Sequence, residues 1–270
     1  MKNAALVALT LAMFSLLPSC GETLNLPSQE DIDWAGDMVG LAADVAEQGK
    51  TALEMLGLLP TYECEEPRGT FVGDIIADFE IEHACATIST QAQGEEADLV
   101  TITFPAGGCE IHDTTLAGTI TFMYSGGTDR MDLEADFSQL QIDGILLGSS
   151  AGYGTCGDES HYWARGAGEI PGTEQAYSMD LTVGLRAGIP IIGGSTILLD
   201  GSAQLLSEAG DDSITFENLE YEGGLLPKEG TLIIQTASGH TIRAEFSSSF
   251  LFGEAKITID DYNSVSVPIP

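Results

Sequence analysis

TLIIQTASGHTIRAEF, residues 231–246, contains two alternating apolar stretches separated by a short polar break. Apolar and polar side chains alternate in each stretch, as they do in a strand with one buried face. Ser238-Gly239 can close a tight turn between them, because glycine adopts the backbone angles that a short hairpin requires. The stretch therefore predicts an antiparallel hairpin.

The same alternation recurs along most of the chain after Tyr62. These stretches are rich in Thr, Ile, Val and Phe, and glycine, Asp or Asn separates most of them. The further examples are residues 99–104, 119–124, 131–137, 213–216 and 255–260. We expect a mainly β protein whose antiparallel meander forms a sandwich or a barrel-like body.

A short internal repeat lies within this β region. Phe137 matches Phe216 and Leu140 matches Leu219, both at an offset of 79 residues. The F-x-x-L spacing cannot keep both side chains on one face of a straight strand, so we expect a β-bulge or a short break after each phenylalanine. The repeat suggests two similar β units, residues 62–165 and 170–270.

A helical pattern precedes the β region, in residues 28–60. Apolar side chains recur there at steps of three and four, and Ser28 offers an N-cap with Asp31 three residues later. With Gly57 as a stop signal, the pattern predicts an amphipathic helix over 29–57. Three glycines each weaken it by about 1 kcal/mol relative to alanine. They are Gly36, Gly40 and Gly49.

The chain begins with Lys2, an apolar run and Leu17-Pro18-Ser19-Cys20. This beginning is typical of a secretory signal, and its end resembles the lipobox of bacterial lipoproteins. The resemblance implies that residues 1–19 are a signal peptide, that Cys20 carries palmitate-type acyl chains, and that residues 20–27 form a tether. The alternative is an ordinary signal peptide with an unrelated cysteine.

Composition and charge limit the partners of the protein. The chain has 42 acidic and 9 basic residues, a net charge of −33. Such a polyanion repels nucleic acid and anionic lipid surfaces. Because the residue after the lipobox cysteine is Gly21 rather than Asp, the resemblance implies the outer membrane, with the face of that membrane open. Partners other than the membrane are an unidentified envelope protein, glycan or small ligand.

Four cysteines remain after Cys20, an even number that favours two disulfides in an exported protein. Sequential pairing closes the shorter loops, which favours Cys64–Cys85 and Cys109–Cys156. The alternative is a zinc site, because Cys109 and Cys156 each have a nearby histidine. Those histidines are His112 and His161.

Gly148-x-Ser150-x-Gly152 has the spacing of the nucleophile elbow of α/β-hydrolases. An elbow needs a strand before the serine and a helix after it, and no helical period follows here. We therefore interpret the segment as a turn and expect no catalytic residue. Tyr162 and Trp163 either line a ligand pocket or pack in the core or at its rim.

The sequence thus predicts a non-catalytic binding or structural module of the cell envelope. A carrier that encloses a lipid or small hydrophobic ligand is the alternative, and a serine hydrolase is a third. We expect no cofactor beyond weak calcium binding at acidic turns, whose carboxylates are the oxygen ligands that calcium prefers. The candidates are Asp129, Asp211 and Asp212.

Overall fold

The helices and strands of the protein are given by a computed structural model. It describes residues 25–58, 67–82, 84–94, 97–111, 114–127, 130–155, 161–186, 196–222, 227–248 and 253–269. These residues form the helices α1 (Gln29–Leu56) and α2 (Arg68–Glu82) and fourteen strands. The strands are β1 (Thr87–Ala92), β2 (Ala97–Ile111), β3 (Thr114–Gly127), β4 (Arg130–Ile142), β5 (Ile145–Leu146), β6 (Ser149–Thr155), β7 (His161–Glu169), β8 (Ala176–Arg186), β9 (Thr196–Leu206), β10 (Asp212–Glu222), β11 (Glu229–Gln235), β12 (Thr241–Ser248), β13 (Gly253–Ile259) and β14 (Val265–Ile269).

All fourteen strands belong to one antiparallel sheet. Each strand pairs with the next one along the chain, except that β4 continues to β6 and the short β5 pairs back onto β4. Among the described residues β1 and β14 are not paired with each other, so the sheet is open. The expected mainly β meander is confirmed, while its division into two units stays a prediction.

The predicted hairpin of residues 231–246 is present as β11 and β12, and a bulge follows both Phe137 and Phe216. Gly239 takes a φ of 92° in the turn between β11 and β12. The register between β3 and β4 shifts by one residue after Phe137, and that between β9 and β10 shifts after Phe216. Each shift returns the following leucine, Leu140 or Leu219, to the buried face. The bulges predicted from the F-x-x-L spacing are confirmed.

One face of the sheet is buried along nearly its whole width. Every strand from β2 to β13 except β5 has an inward side chain that is buried. The thirteen strands of the main path would span about 58 Å if flat, whereas two helices cover about 20 Å. Helix α1 contacts β6, β7 and β8 and also β11 and β13. The sheet therefore curves around the helices, and the core lies on this inner face.

Helix α1 begins and ends close to where the sequence predicts. Ser28 caps it, and Asp31 accepts a hydrogen bond from the Ser28 N–H group in return at 3.0 Å. Gly49 lies close against the sheet, since a Cβ atom there would lie 2.5 Å from Leu181 Cδ1. The glycine that weakens the isolated helix thus lets it pack closely on β8.

Helix α2 is an element that the sequence analysis does not predict. Its apolar side chains Phe71, Val72, Ile75 and Phe79 are buried and form part of the same core. Helix α2 contacts β1, β2 and β3, whereas α1 contacts β6, β7, β8, β11 and β13, so the two helices cover different parts of the inner face. The β region therefore begins after α2, and not directly after Tyr62 as the alternation of side chains had suggested.

Candidate functional site

The serine of the hydrolase-like motif lies in a strand. Residues 149–155 form β6, so the interpretation of this segment as a turn is wrong. The Ser150 hydroxyl donates a hydrogen bond to the carbonyl oxygen of Arg165 at 3.3 Å. The next described element is strand β7, and not the helix that a nucleophile elbow requires. Ser150 therefore lacks the local structure that activates a nucleophile.

The cysteines are paired differently from the expected pattern. Cys85 and Cys109 form a disulfide with a Cα–Cα distance of 5.7 Å, which is normal for such a bond. The favoured pairs Cys64–Cys85 and Cys109–Cys156 are therefore both wrong. The pairing expected from loop length does not form, because the pairing of β1 with β2 brings Cys85, just before β1, beside Cys109 on β2. Cys64 and Cys156 lie outside the described residues.

This disulfide also bears on the zinc alternative. The sulfur of Cys109 is already bonded, so it is not a thiolate ligand. His161 is exposed on β7, and His112 lies outside the described residues. Within the described part of the chain, no group of three or more His, Cys, Asp and Glu side chains is arranged to hold a metal ion.

The acidic turns that suggested calcium binding have backbone partners. Asp211 Oδ1 accepts a hydrogen bond from the N–H group of Ser207 at 3.2 Å. Asp212 Oδ1 accepts one from the N–H group of Ala237 at 2.8 Å. Asp129 lies outside the described residues. Both described carboxylates therefore satisfy backbone donors at the turns, and calcium binding stays a prediction.

Two further aspartates have the same structural role, which the sequence analysis missed. Asp143 and Asp260 take left-handed φ angles of 52° and 45°. Each carboxylate accepts a hydrogen bond from a backbone N–H group at the start of the neighbouring strand, Thr115 at 2.9 Å and Thr241 at 2.7 Å. The Thr241 N–H group, followed by the His240 ring, holds the pKa of Asp260 below its usual value. The signal in the sequence is that Asp143 directly follows β4 and Asp260 directly follows β13.

One group of charged side chains on the inner face is centred on Lys50 of α1. Lys50 is 8 % exposed and pairs with Glu47 at 3.0 Å and Glu54 at 3.4 Å. Burial lowers the pKa of Lys50, but these two carboxylates more than offset it and the pKa is raised. The lysine is therefore charged and paired, so it is not a candidate for a catalytic amine.

Tyr162 and Trp163 lie on opposite faces of β7. Tyr162 is buried on the inner face, with its ring 5.6 Å from that of Tyr153. Burial raises the pKa of Tyr162. Trp163 is directed outward and is only half-buried. The two aromatic side chains therefore cannot line one pocket, and Trp163 belongs to the solvent face of the sheet.

Five residues on three neighbouring strands surround and include this tryptophan on the outer face, and we name this patch the Trp163 face. It consists of Gly152 on β6, Trp163 and Arg165 on β7, and Asp180 and Thr182 on β8. Gly152 is paired with Trp163, and a Cβ atom at Gly152 would lie 2.5 Å from indole Cζ2. The missing side chain thus allows the indole to lie over the neighbouring strand.

Arg165 covers the indole from one side. Its guanidinium carbon lies 4.9 Å from the ring centroid of Trp163, which is within the range of a cation–π contact. Arg165 Nε also pairs with Asp180 Oδ1 at 3.1 Å, although both side chains are more than half exposed. An exposed ion pair of this kind contributes little to stability, so Arg165 can exchange partners.

Carboxylates lie on both sides of the Trp163 face. Glu134 pairs with Gly152 across one strand boundary, and Asp200 pairs with Thr182 across another. Each carboxylate is therefore two strand spacings from Trp163, about 10 Å. The result is an aromatic and guanidinium centre with an acidic rim. The sequence signal for this face was the alternation in HYWAR, residues 161–165, where His161, Trp163 and Arg165 face outward. The many glycines on either side made this alternation hard to recognise.

Two features that bear on location complete the description. Cys20 lies outside the described residues. Neither helix in the described part of the chain is both long and apolar enough to cross a membrane. Comparison with protein-family models, with curated proteins and with solved structures finds no match to this chain.

Proposed function

We propose that the protein is a lipid-anchored module of the cell envelope that binds a protein partner, without catalysis, through the Trp163 face. The observation that carries the proposal is an indole that lies over Gly152 and is covered by Arg165 in the middle of a broad sheet. The anchor is the acylated Cys20 that the lipobox resemblance implies. The proposed location is the outer membrane.

The residue types of this face are those that dominate the energy of protein interfaces. Trp, Tyr and Arg are enriched among the few residues whose truncation costs most, and these residues cluster near the centre of an interface. The polar Thr182 and Asp180 lie beside the indole and are exposed. They correspond to the polar rim of an interface.

The charge of the protein indicates the chemistry of the partner. The Trp163 face contains Asp180 and is bordered by Glu134, Asp136 and Asp200, while Arg165 is the one cation among the residues that define it. Complementary charge across an interface speeds association and disfavours wrong partners. We therefore infer a partner protein with a basic surface. A neutral glycan is the other binding outcome, and the experiment below separates the two.

The carrier and hydrolase alternatives have less support. A carrier needs an accessible inner face, and in the described residues the inward side chains pack against α1 and α2 in a single core. Ser150 lies in a strand and its hydroxyl is bonded to a backbone carbonyl. A binding function on the outer face needs no change in either feature.

Site-specific photocrosslinking in intact cells tests the proposed interface. The crosslinking residue replaces Thr182, which is exposed beside Trp163. The matched control replaces Thr103, an exposed threonine on β2 five strand spacings away, about 24 Å along the sheet. We expect one discrete protein adduct from the first position and none from the second.

The Trp163→Ala variant decides whether the indole binds or only packs. We expect the adduct to fall about tenfold or more, because truncating a dominant interface residue costs about 2 kcal/mol or more. The urea midpoint of the variant is measured in parallel, since the indole also covers Gly152. An unchanged adduct, or equal adducts from both threonine positions, would contradict the proposal. A crosslinked glycan in place of a crosslinked protein would show that the partner is a glycan and not a protein.

The anchor has its own test. Metabolic labelling with an alkyne fatty acid should mark the natural chain and leave Cys20→Ala unlabelled, because the cysteine is the acylated residue of a lipobox. Equal labelling of both chains would overturn the anchor and leave the binding face as a separate question.

A further inference from the structure

One end of the sheet is the end at which the chain leaves towards Cys20. The Asn263 N–H group, in the turn between β13 and β14, donates a hydrogen bond to the carbonyl oxygen of Asn25 at 2.8 Å. The antiparallel pairings place on this same end the turn between β11 and β12 and the connection from β4 to β6. We name it the tether end.

Large apolar side chains are exposed mainly at this end. Four such residues are exposed in the described part of the chain: Leu26 at 54 %, Leu146 at 53 %, Ile145 at 49 % and Met123 at 38 %. The first three are at the tether end. Met123 lies nine residues along β3 from the first strand residue at that end, Thr114, a distance of about 30 Å.

The loop that carries Ile145 and Leu146 is held firmly. Asp143 exchanges two hydrogen bonds with the backbone of Thr115, at 2.9 Å and 2.8 Å. Ile145 then pairs back onto Ile142 as strand β5. Two adjacent apolar side chains are therefore presented to solvent on a fixed support, which keeps the entropy lost on burying them low.

The chain length before the described residues limits what can cover this end. Cys20 precedes Asn25 by five residues, which span at most about 18 Å when fully extended. A bilayer that holds acyl chains on Cys20 therefore lies close to the tether end. Exposed aliphatic side chains near the chain entry match the apolar side of the headgroup boundary.

We propose that the tether end lies against the bilayer, with Ile145 and Leu146 inserted at the boundary between headgroups and acyl chains. The proposal rests on the acylation of Cys20 proposed above. The lipid surface is zwitterionic, because the tether end also carries Asp143, Asp212 and Asp260, and anionic headgroups repel them. The strands then stand away from the membrane, and the Trp163 face is directed sideways along it.

Tryptophan quenching by brominated lipid tests this orientation. The full acylated chain is reconstituted in phosphatidylcholine vesicles that carry bromine near the upper acyl chain. Leu146→Trp is the test variant and Met123→Trp is the matched control, and the emission of the natural chain is subtracted from both. We expect a twofold or greater loss of the added emission for Leu146→Trp and no loss for Met123→Trp. Replacing half of the lipid by phosphatidylglycerol should weaken the quenching.

Vesicle flotation separates the failure of this proposal from failure of the anchor. A chain that does not float with the vesicles contradicts the acylation at Cys20. A chain that floats while Leu146→Trp stays unquenched overturns the membrane contact and leaves the anchor intact. Equal quenching of Met123→Trp overturns the upright orientation. Ile145→Trp repeats the test if Leu146→Trp does not fold.

Discussion

Replacing Gly49 by alanine tests the close packing of α1 on the sheet. A Cβ atom at this position would lie 2.5 Å from Leu181 Cδ1, 3.5 Å from Met179 Sδ and 3.7 Å from Ala164 Cβ. Carbon atoms pack best at about 3.5–4.0 Å. Leu181 has no exposed surface, so its methyl group can move away only by displacing other core side chains.

The expected magnitude is the difference between two opposing effects. Adding a methyl group to a well-packed core costs about 1–3 kcal/mol. Replacing glycine by alanine within a helix stabilises it by about 1 kcal/mol. Gly49→Ala should therefore lower the free energy of unfolding by about 0–2 kcal/mol. Gly40→Ala is the matched control, because a Cβ atom there would have no atom within 4 Å. We expect that variant to stabilise the protein by about 0.5–1 kcal/mol.

Urea unfolding followed by circular dichroism measures both variants with the disulfides intact. The difference between them isolates the packing effect, since the chemical change and the helix are the same. Leu181→Ala provides a second check, because its usual cost of about 2–5 kcal/mol should be smaller in the Gly49→Ala background, where the new methyl group fills part of the cavity. Equal stabilisation by Gly49→Ala and Gly40→Ala would refute the close packing.

Three further results are expected. Replacing Cys85 and Cys109 by alanine should lower the free energy of unfolding by about 3.5 kcal/mol on the loop-entropy estimate, since the bond closes a loop with a sequence separation of 24; an unchanged urea midpoint would contradict it. The hydrogen bond from the Thr241 N–H group lowers the pKa of Asp260 in the folded protein. The ionised carboxylate therefore stabilises the fold at a pH above the unfolded-state pKa, and this stabilisation is lost as the pH falls through the folded-state pKa. The natural chain should therefore exceed Asp260→Asn in urea midpoint at pH 7 and lose that advantage below about pH 4; a constant difference would refute the assignment. Ser150→Ala should change the free energy of unfolding by less than about 0.5 kcal/mol, and a fluorophosphonate probe should label neither chain.

Much of the sheet was predictable because its signal is local. Alternating β-branched and aromatic side chains identify β2, β3, β4 and the strands from β10 to β13. Even the bulges followed from the sequence, since Phe137 and Leu140 can share a buried face only if one residue is extruded between them. These features depend on a strand and its nearest neighbours alone.

The rest of the structure depends on contacts between distant parts of the chain. Strand β6 was missed because glycine replaces its outward side chains at positions 152 and 154, where Trp163 and His161 of β7 lie over it. The disulfide partner of Cys109 depends on where α2 ends. The Trp163 face could not be predicted, because its residues come from β6, β7 and β8 and meet only when these three strands pair in register.

The position of α1 at the beginning of the chain has a consequence for the order of folding. Each strand pairs with its neighbour in sequence, so hairpins can form rapidly as soon as their residues are available. The helix, in contrast, contacts β13, which is made almost last. The part of its apolar side that contacts β11 and β13 therefore stays exposed until the final hairpins form. Contacts made after the folding transition state affect mainly the unfolding rate. Substitutions at the interface between α1 and β13 should therefore speed unfolding and leave the rate of refolding nearly unchanged.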